Sequence, residues 1–344
     1  MKITQLSVQN VRSHAEKTIP LSAGVTVITG KNGVGKTTLL EAIYITLQGS
    51  SFKGGDPMVL RKDAPWYRID VKLEDEALRT VTFDPSRTSG KKRFVVDEKT
   101  AHRLTPKYKY PVILFEPDDL RLLSGSPARR RLFIDRFISQ LDPSYATMLR
   151  KYERALKQRN TLLKQEGVSN DDLFVWNIAL SEYGAKIIAW RKRAVEQINQ
   201  RLNDFYHEIA HTDDAVSVEY SEPHDHTAQS LLQALEAKLP YDAIVKHTSV
   251  GPHRHDILFN FNDAPALTVA SRGEVRTILL ALKRIEEEKI KETTGHHPVV
   301  LLDDVFSELD KSRQDYIIDY FKKNQVVISS ATALTYEGFL QVEL

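Results

Sequence analysis

One glycine-rich segment constrains this chain more than any other part of its sequence. It runs Gly30-Lys31-Asn32-Gly33-Val34-Gly35-Lys36-Thr37 and fits the pattern G-x-x-x-x-G-K-[ST]. A β-branched strand signal, Val25–Thr29, precedes it, and an apolar helix pattern follows it. Strand, glycine loop and helix start together are the context that a phosphate-binding loop requires, whereas a plain glycine-rich turn binds nothing. The sequence therefore predicts an α/β fold organised around a nucleotide.

Each residue type in the loop has a predicted role. The glycines let backbone N–H groups turn toward a triphosphate, and the start of the helix, with Thr38, adds a favourable potential for the anion. Lys36 is expected to reach the β- and γ-phosphates, and the hydroxyl of Thr37 is expected to bind Mg²⁺. The polar segment Asn10–His14, which includes Arg12, is expected to approach the same nucleotide.

Composition narrows the class of protein without identifying a partner. The 344 residues suffice for two domains, and a net charge of +2 does not by itself indicate nucleic acid. The chain has no cysteine, which excludes disulfides and thiolate metal sites and fits a reducing cytosol. Its start lacks a signal-peptide core, and no apolar run approaches the ~20 residues of a membrane span. We expect a cytoplasmic protein with no membrane partner.

Hydrophobic periodicity divides the chain into three stretches. Residues 1–115 are rich in strand patterns and carry the phosphate loop. Residues 116–294 are mostly helical, and residues 295–344 return to strands and complete the first lobe. We therefore expect an ATPase lobe assembled from both ends of the chain and a second, mostly helical lobe between them.

Three local patterns give this outline more detail. Pro143–Lys164 and Asp172–His207 predict a short antiparallel helical hairpin, with Gln165–Asn170 as its connection. Alternating residues from Trp66 to Val96 predict an antiparallel meander. Gln325–Ser330 is predicted to be the final, buried strand.

A second motif supplies acidic residues. Val299–Leu302 is an all-apolar strand pattern that ends in Asp303 and Asp304. A carboxylate at the end of a buried strand is what a Walker B element needs, so Asp303 is the predicted Mg²⁺ ligand. Asp304 stands where many ATPases place the glutamate that activates the attacking water. The alternative is that the two acids only form a turn, because acidic residues are common in the turns that follow strands.

Two further segments resemble motifs of ABC-type ATPases. Ala270-Ser271-Arg272-Gly273-Glu274 forms a predicted capping box between Ser271 and Glu274 and also resembles the ABC signature. Ser307–Asp310 predicts the N-cap of a helix and also resembles the D-loop. The resemblance implies a head-to-tail dimer in which Ser271 and Gly273 of one subunit contact ATP held by the phosphate loop of the other. The order of these motifs is that of ABC/SMC-type P-loop ATPase heads.

The whole chain, finally, resembles the RecF family of bacterial recombination-mediator ATPases. The matching segments are Pro117–Pro127, Arg129–Asp135, Gln158–Asn160, Gly251–Arg254 and Leu302–Asp310. The resemblance implies an ATP-dependent, DNA-binding homodimer that works with RecO and RecR to load recombinase at single-strand gaps or duplex junctions. Because Asp304 is one methylene shorter than glutamate, we expect ATP hydrolysis to be slow. Arg12-Ser13-His14 and His255 depart from the family pattern.

The sequence allows more than one role for a basic run, for a histidine-containing segment and for the protein as a whole. Arg129–Arg131 could contact DNA phosphates, a nucleotide or solvent. His253, His255 and Asp256 could suggest a metal site, although a Gly-Pro turn stands beside them and no other ligand pair is present. An ABC-type subunit that does not act on DNA and a nuclease are the competing functions. The first requires a membrane partner, and the second requires an acidic metal cluster.

Overall fold

A computed structural model of the chain describes residues 1–167, 169–222, 227–334 and 336–344. The chain forms two compact units. The first contains Met1–Asp119 and Glu287–Leu344, and the second contains Leu120–Glu286. Each unit has its own core of buried apolar side chains.

The strands are numbered in chain order. They are β1 (Ile3–Val11), β2 (His14–Pro20), β3 (Val25–Thr29), β4 (Tyr67–Leu73), β5 (Leu78–Phe83), β6 (Lys92–Val96), β7 (Lys99–Ala101), β8 (Val112–Phe115), β9 (Val216–Ser221), β10 (Asp256–Phe261), β11 (Ala264–Pro265), β12 (Val299–Asp303), β13 (Gln325–Ser330) and β14 (Leu340–Glu343).

The helices are numbered in the same way. They are α1 (Lys36–Gln48), α2 (Asp56–Val59), α3 (Pro127–Leu141), α4 (Pro143–Leu162), α5 (Asn170–Ala210), α6 (Ala228–Ala237), α7 (Leu239–Val245), α8 (Ala266–Val269), α9 (Arg272–Thr294) and α10 (Lys311–Tyr320). In the described ranges, these helices lack an apolar stretch of the length that a bilayer-spanning segment needs.

The first unit contains a parallel and an antiparallel sheet with α1 packed against strands of both. The parallel sheet has the order β14-β3-β13-β12-β8, and β12 and β13 are buried along their whole length, as the apolar runs predict. The antiparallel sheet has the order β2-β1-β4-β5-β6-β7 and confirms the predicted meander. Because the neighbours in the parallel sheet run in one direction, the loops that follow β3 and β12 emerge at the same edge.

The second unit is built around α4 and α5, which form the predicted antiparallel hairpin. Tyr145 near the start of α4 stacks edge-on against Trp190, whereas Arg159 near its end bonds to Asn177. These contacts pair opposite ends of the two helices. Ser169 and Asp172 form a capping box that starts α5 at Asn170, two residues before the predicted start. Residue 168 of the predicted connection lies outside the described residues.

The structure also corrects two predictions at the ends of elements. Gln325–Ser330 is not the final strand, because β14 follows it and pairs in parallel with β3. The residues of β14 are half-buried or exposed, so β14 lacks the apolar run of a central strand. The predicted loop Asn10–His14 is shorter than expected, because β1 extends to Val11 and β2 already begins at His14. Asn10 and Arg12 take left-handed backbone conformations that permit this tight hairpin.

Candidate nucleotide-binding site

The glycine loop has a backbone that its sequence requires. Gly30, Gly33 and Gly35 have φ angles of 151°, 84° and 106°, values that residues with a side chain rarely adopt. A Cβ atom on Gly35 would also overlap with the side chains of Ser13 and His14. The loop leads directly from buried β3 into α1, which begins at Lys36. Backbone N–H groups at the start of this helix are available to an anion.

Lys36 lies over the glycine loop that precedes it. Its ammonium group donates to the carbonyl oxygens of Gly30 at 2.7 Å and Lys31 at 3.1 Å, and the residue is 6% exposed. These two carbonyl oxygens hold the positively charged ammonium group of Lys36 beside the glycine loop. A polyphosphate is the ligand whose charge complements this arrangement.

The fold brings Thr37 and Asp303 into contact, although 266 positions separate them in the sequence. The hydroxyl of Thr37 donates to Oδ1 of Asp303 at 2.6 Å. The hydroxyl of Ser329, opposite Asp303 in the register of β12 and β13, donates to the same oxygen at 2.9 Å. A threonine hydroxyl beside a carboxylate is a set of hard oxygen donors, and such a set suits Mg²⁺. The residues present therefore fit the predicted metal.

Asp304 follows with an unusual backbone conformation. Its φ angle is 55°, in the left-handed region, and its N–H donates to Oγ of Ser329 at 2.9 Å. Burial raises the pKa of its carboxyl group, and the negative charges of Asp303 and Glu308 raise it further, whereas Lys36 opposes the shift. A carboxylate with a raised pKa beside the loop has the chemistry of a general base for water.

Ser271 and Gly273 lie in the second unit, at the start of α9. The N–H of Ser271 donates to Oε2 of Glu274 at 2.5 Å, and the N–H of Glu274 donates to Oγ of Ser271 at 3.3 Å. These bonds confirm the predicted capping box. Ser271 and Arg272 are exposed to solvent, whereas Gly273 is half-buried, and the dipole of α9 favours an anion at this end.

The segment after the acids is confirmed as a helix cap. Asp310 precedes α10 and accepts the N–H of Arg313 at 3.0 Å. Hydrogen bonds from Ser312 and Arg313 lower the pKa of Asp310 to about 2. Ser307 donates its hydroxyl to the carbonyl oxygen of Asp304 at 2.9 Å, which ties this segment to the acidic pair.

Arg12 forms an ion pair within the first unit. Its guanidinium donates twice to Glu41, at 2.6 Å and 2.8 Å, and the side chain of Glu41 is fully buried. Neighbouring His14 places Nε2 at 3.1 Å from the carbonyl oxygen of Gly35. The structure thus ties Arg12 to the helix after the phosphate loop. A contact between Arg12 and the nucleotide stays a prediction.

Sequence reasoning missed four residues of this region: Glu41, Ser51, Lys53 and Ser329. Glu41 offered a signal, because it is a charged residue on a helix whose neighbours Leu39, Leu40, Ala42 and Ile43 are all apolar. Ser51 accepts N–H groups from Lys53 and Gly54 and donates to Glu41. Lys53 and Ser329 both contact Asp303 across the fold, a relationship that no sequence spacing indicates.

Arg159 and Gly251, which lie in two of the resembling motifs, have interior contacts in the second unit. Arg159 is fully buried and donates to Asp242 at 2.7 Å and to Thr248 at 2.8 Å. Gly251 has a φ angle of 124°, and a Cβ atom there would overlap with the hydroxyl of Tyr152. These two positions are therefore explained by packing.

The basic run and the histidines are also held by protein groups. Arg130 pairs with Asp256 through bonds of 2.8 Å and 2.7 Å, and Arg131 donates to the carbonyl oxygen of His255 at 2.8 Å. The imidazole nitrogens of His253 lie at 2.6 Å from the hydroxyl of Tyr152 and 3.0 Å from the carbonyl oxygen of Thr248. Arg130 and Arg131 therefore contact groups of the protein itself, which is none of the three partners that the sequence left open.

Comparison with known proteins gives a consistent set of relatives. A family model described as an AAA domain matches residues 5–239. The DNA replication and repair protein RecF of Natranaerobius thermophilus is 32% identical, with 100% of this chain and 94% of the relative covered. RecF of Clostridium perfringens is also 32% identical, with 96% of this chain and 92% of the relative covered.

Solved structures agree with these relatives. A structure of the recombination mediator protein RecF-ATP of the RecFOR pathway has a TM-score of 0.85 at 30% identity, with 98% of this chain and 93% of that chain covered. An Smc head bound to the C-terminal winged-helix domain of ScpA has a TM-score of 0.51 at 16% identity, covering 96% and 90%, and is similar in fold alone. The fold is the predicted ABC/SMC-type P-loop ATPase fold.

Proposed function

The chain is a member of the RecF family of DNA replication and repair proteins, and on that premise we propose that it is an ATP-controlled clamp on DNA in recombinational repair. Two copies close on DNA when ATP binds, and slow hydrolysis to ADP and phosphate releases them. The clamp helps to load recombinase at single-strand gaps.

The observation that carries the proposal is the contact between Thr37 and Asp303 at 2.6 Å. It joins the phosphate loop to the acidic strand end, so Thr37 and Asp303 would together hold the Mg²⁺ that P-loop ATPases require. In this proposal the N–H groups of Gly30–Thr38 hold the phosphates, and Lys36 balances their charge. Mg²⁺ bound at Thr37 and Asp303 would supply electrostatic stabilisation of the transferred phosphoryl group.

Asp304 activates the water for hydrolysis: its carboxylate orients the attacking water and accepts a proton from it. Its carboxyl group is one methylene shorter than that of glutamate, and its reach is correspondingly smaller. We therefore propose slow basal turnover that DNA stimulates by stabilising the closed dimer.

The start of α9, with exposed Ser271 and half-buried Gly273, is proposed to complete the site from a second copy of the chain. Its dipole and N–H groups suit the terminal phosphate of ATP, which ADP lacks. Dimerisation is then controlled by ATP and not by ADP.

The proposed partners are duplex or gapped DNA with single-strand junctions and, since a related structure belongs to the RecFOR pathway, the RecO and RecR proteins. The proposed location is the cytoplasm. If phosphate contacts dominate, affinity for DNA falls by orders of magnitude as salt rises from about 50 to 200 mM. Binding that does not respond to salt would argue against this mode.

Sedimentation velocity with ATP, ADP or no nucleotide, with and without gapped DNA, tests the proposal. We expect dimers with ATP, more of them with gapped DNA, and monomers with ADP. Lys36→Ala should remain monomeric and fail to bind ATP, because the phosphates lose their counter-charge. Lys31→Ala is the matched control, since its exposed side chain lies in the same loop but only its backbone is assigned to the phosphates. ATP binding by Lys36→Ala as tight as that of the control would refute the loop assignment.

A further inference from the structure

Asp303 carries an ion pair that the predicted motifs do not explain. Nζ of Lys53 lies 3.3 Å from Oδ2 of Asp303. The side chain of Asp303 is 2% exposed, whereas that of Lys53 is 38% exposed. Oδ1 of the same carboxylate accepts from Thr37 and Ser329, so the lysine occupies the side that these hydroxyls leave open.

The backbone beside Lys53 is fixed to α1 by a chain of hydrogen bonds. Ser51 accepts the N–H of Lys53 at 2.8 Å and that of Gly54 at 3.1 Å. The hydroxyl of Ser51 donates to Glu41, and Glu41 is held by both donors of Arg12. The loop therefore presents Lys53 from an anchored backbone, while the long side chain retains freedom to swing toward solvent.

A buried carboxylate requires a counter-charge, because removing an ion from water is strongly unfavourable unless a partner compensates for it. In the structure this charge comes from Lys53. A divalent cation at the same carboxylate would supply it instead. An ammonium ion and a divalent cation a few ångströms apart repel each other, so the two occupy Asp303 in turn.

We propose that Lys53 is the resident counterion of Asp303 in the metal-free protein and leaves it when Mg²⁺ enters with the nucleotide. Lys53 is then a positioning residue that holds the carboxylate of Asp303 in its orientation before loading. It also sets how much Mg²⁺ the protein needs, because the metal must displace an existing ion pair. This inference rests on the proposed binding of ATP and Mg²⁺.

The first test titrates Mg²⁺ at a fixed concentration of fluorescent ATP or ADP and compares wild type with Lys53→Met. Losing the competing ammonium should lower the half-saturating Mg²⁺ concentration by about 1.5- to 5-fold with either nucleotide, the range expected for a partly exposed ion pair. Lys62→Met is the matched control, because it removes an exposed lysine of the same unit. Lys53→Arg should behave like wild type.

Two results would overturn the inference. An unchanged Mg²⁺ requirement in Lys53→Met would mean that the pair does not compete with the metal. A higher requirement with ATP alone would mean that Lys53 binds the terminal phosphate. If the wild type binds no nucleotide at any Mg²⁺ concentration, the proposed function fails, and a second measurement still decides the inference.

That second measurement is thermal unfolding without nucleotide. In EDTA, Lys53→Met should melt about 2–4 °C below wild type, because Asp303 has lost its partner. Added Mg²⁺ should raise the melting temperature of Lys53→Met more than that of wild type or Lys62→Met. Equal melting temperatures in EDTA, with equal responses to Mg²⁺, would contradict the assignment of Lys53 as counterion.

Discussion

The hydroxyl of Ser329 accepts the backbone N–H of Asp304 at 2.9 Å while donating its own proton to the neighbouring Asp303 at 2.9 Å. One side chain thus fixes the left-handed backbone of the candidate base and the orientation of the candidate metal ligand. Ser329 is fully buried at the end of β13. The two acids are therefore positioned by the strand beside their own.

Replacing Ser329 by alanine should slow ATP hydrolysis while leaving nucleotide binding largely intact. Partners that orient a metal ligand typically account for about 10- to 100-fold in metal affinity or activity, and we expect a loss of kcat in that range. Ser329→Thr keeps the hydroxyl and should recover most of the rate. Ser330→Ala is the control on the same strand, because that hydroxyl accepts the N–H of Thr332 at 3.2 Å. Equal rates for Ser329→Ala and Ser330→Ala would remove the proposed positioning role.

Asp304 should not tolerate the glutamate that many ATPases use. Its φ angle of 55° suits aspartate and asparagine better than glutamate. We expect Asp304→Glu to lower the free energy of unfolding by about 1 kcal/mol and to leave ATP turnover no faster. Asp304→Asn keeps the backbone and should bind ATP and dimerise without hydrolysing it. Urea unfolding and phosphate release check both variants, and a glutamate variant that is stable and faster would contradict this account.

His253 should make the stability of the protein depend on pH. Burial lowers the pKa of its imidazole from its ordinary value to about 4. Between pH 6.5 and about 4, the unfolded chain takes up a proton that the native imidazole refuses, so this contribution is full above pH 6.5 and is lost as the pH falls. The difference in unfolding free energy between wild type and His253→Gln should change by up to about 3 kcal/mol across that window.

The control for this prediction is His247→Gln, because His247 is an exposed histidine of the same unit. Its difference from wild type is the baseline for replacing an exposed imidazole. If the difference for His253→Gln does not change with pH, the native imidazole takes up its proton as readily as the unfolded one, and the environment assigned to it is wrong.

The elements that could be predicted from sequence are those whose signals are local. A short stretch of sequence is enough to predict the strand before Gly30, the strand Val299–Leu302 and the helices α4 and α5, because each has a local pattern of apolar residues. The capping box of Ser271 and Glu274 is a local signal of the same kind. Pairing of strand ends in a parallel sheet then brings the phosphate loop to Asp303.

The missed relationships are those that join distant parts of the chain. The sequence around Lys53 and Ser329 contains no motif that predicts their contacts with Asp303. Ser329 lies beside Asp303 because of the register in which β12 pairs with β13. The edge strand β14 is half-exposed and carries no apolar run, so its pairing with β3 is set by tertiary contact alone. Local patterns do not contain this information.

The most direct test of the shared site mixes two inactive variants, Lys36→Ala and Ser271→Arg. Each homodimer lacks both working sites, since each site needs Lys36 from one copy and Ser271 from the other. A mixed dimer pairs the intact phosphate loop of one copy with the intact helix start of the other and so restores one site. We predict that ATP-dependent dimerisation, measured by sedimentation velocity, is absent for each variant alone and returns on mixing. If mixing restores nothing, or if Ser271→Arg alone dimerises with ATP, the site is not shared between copies.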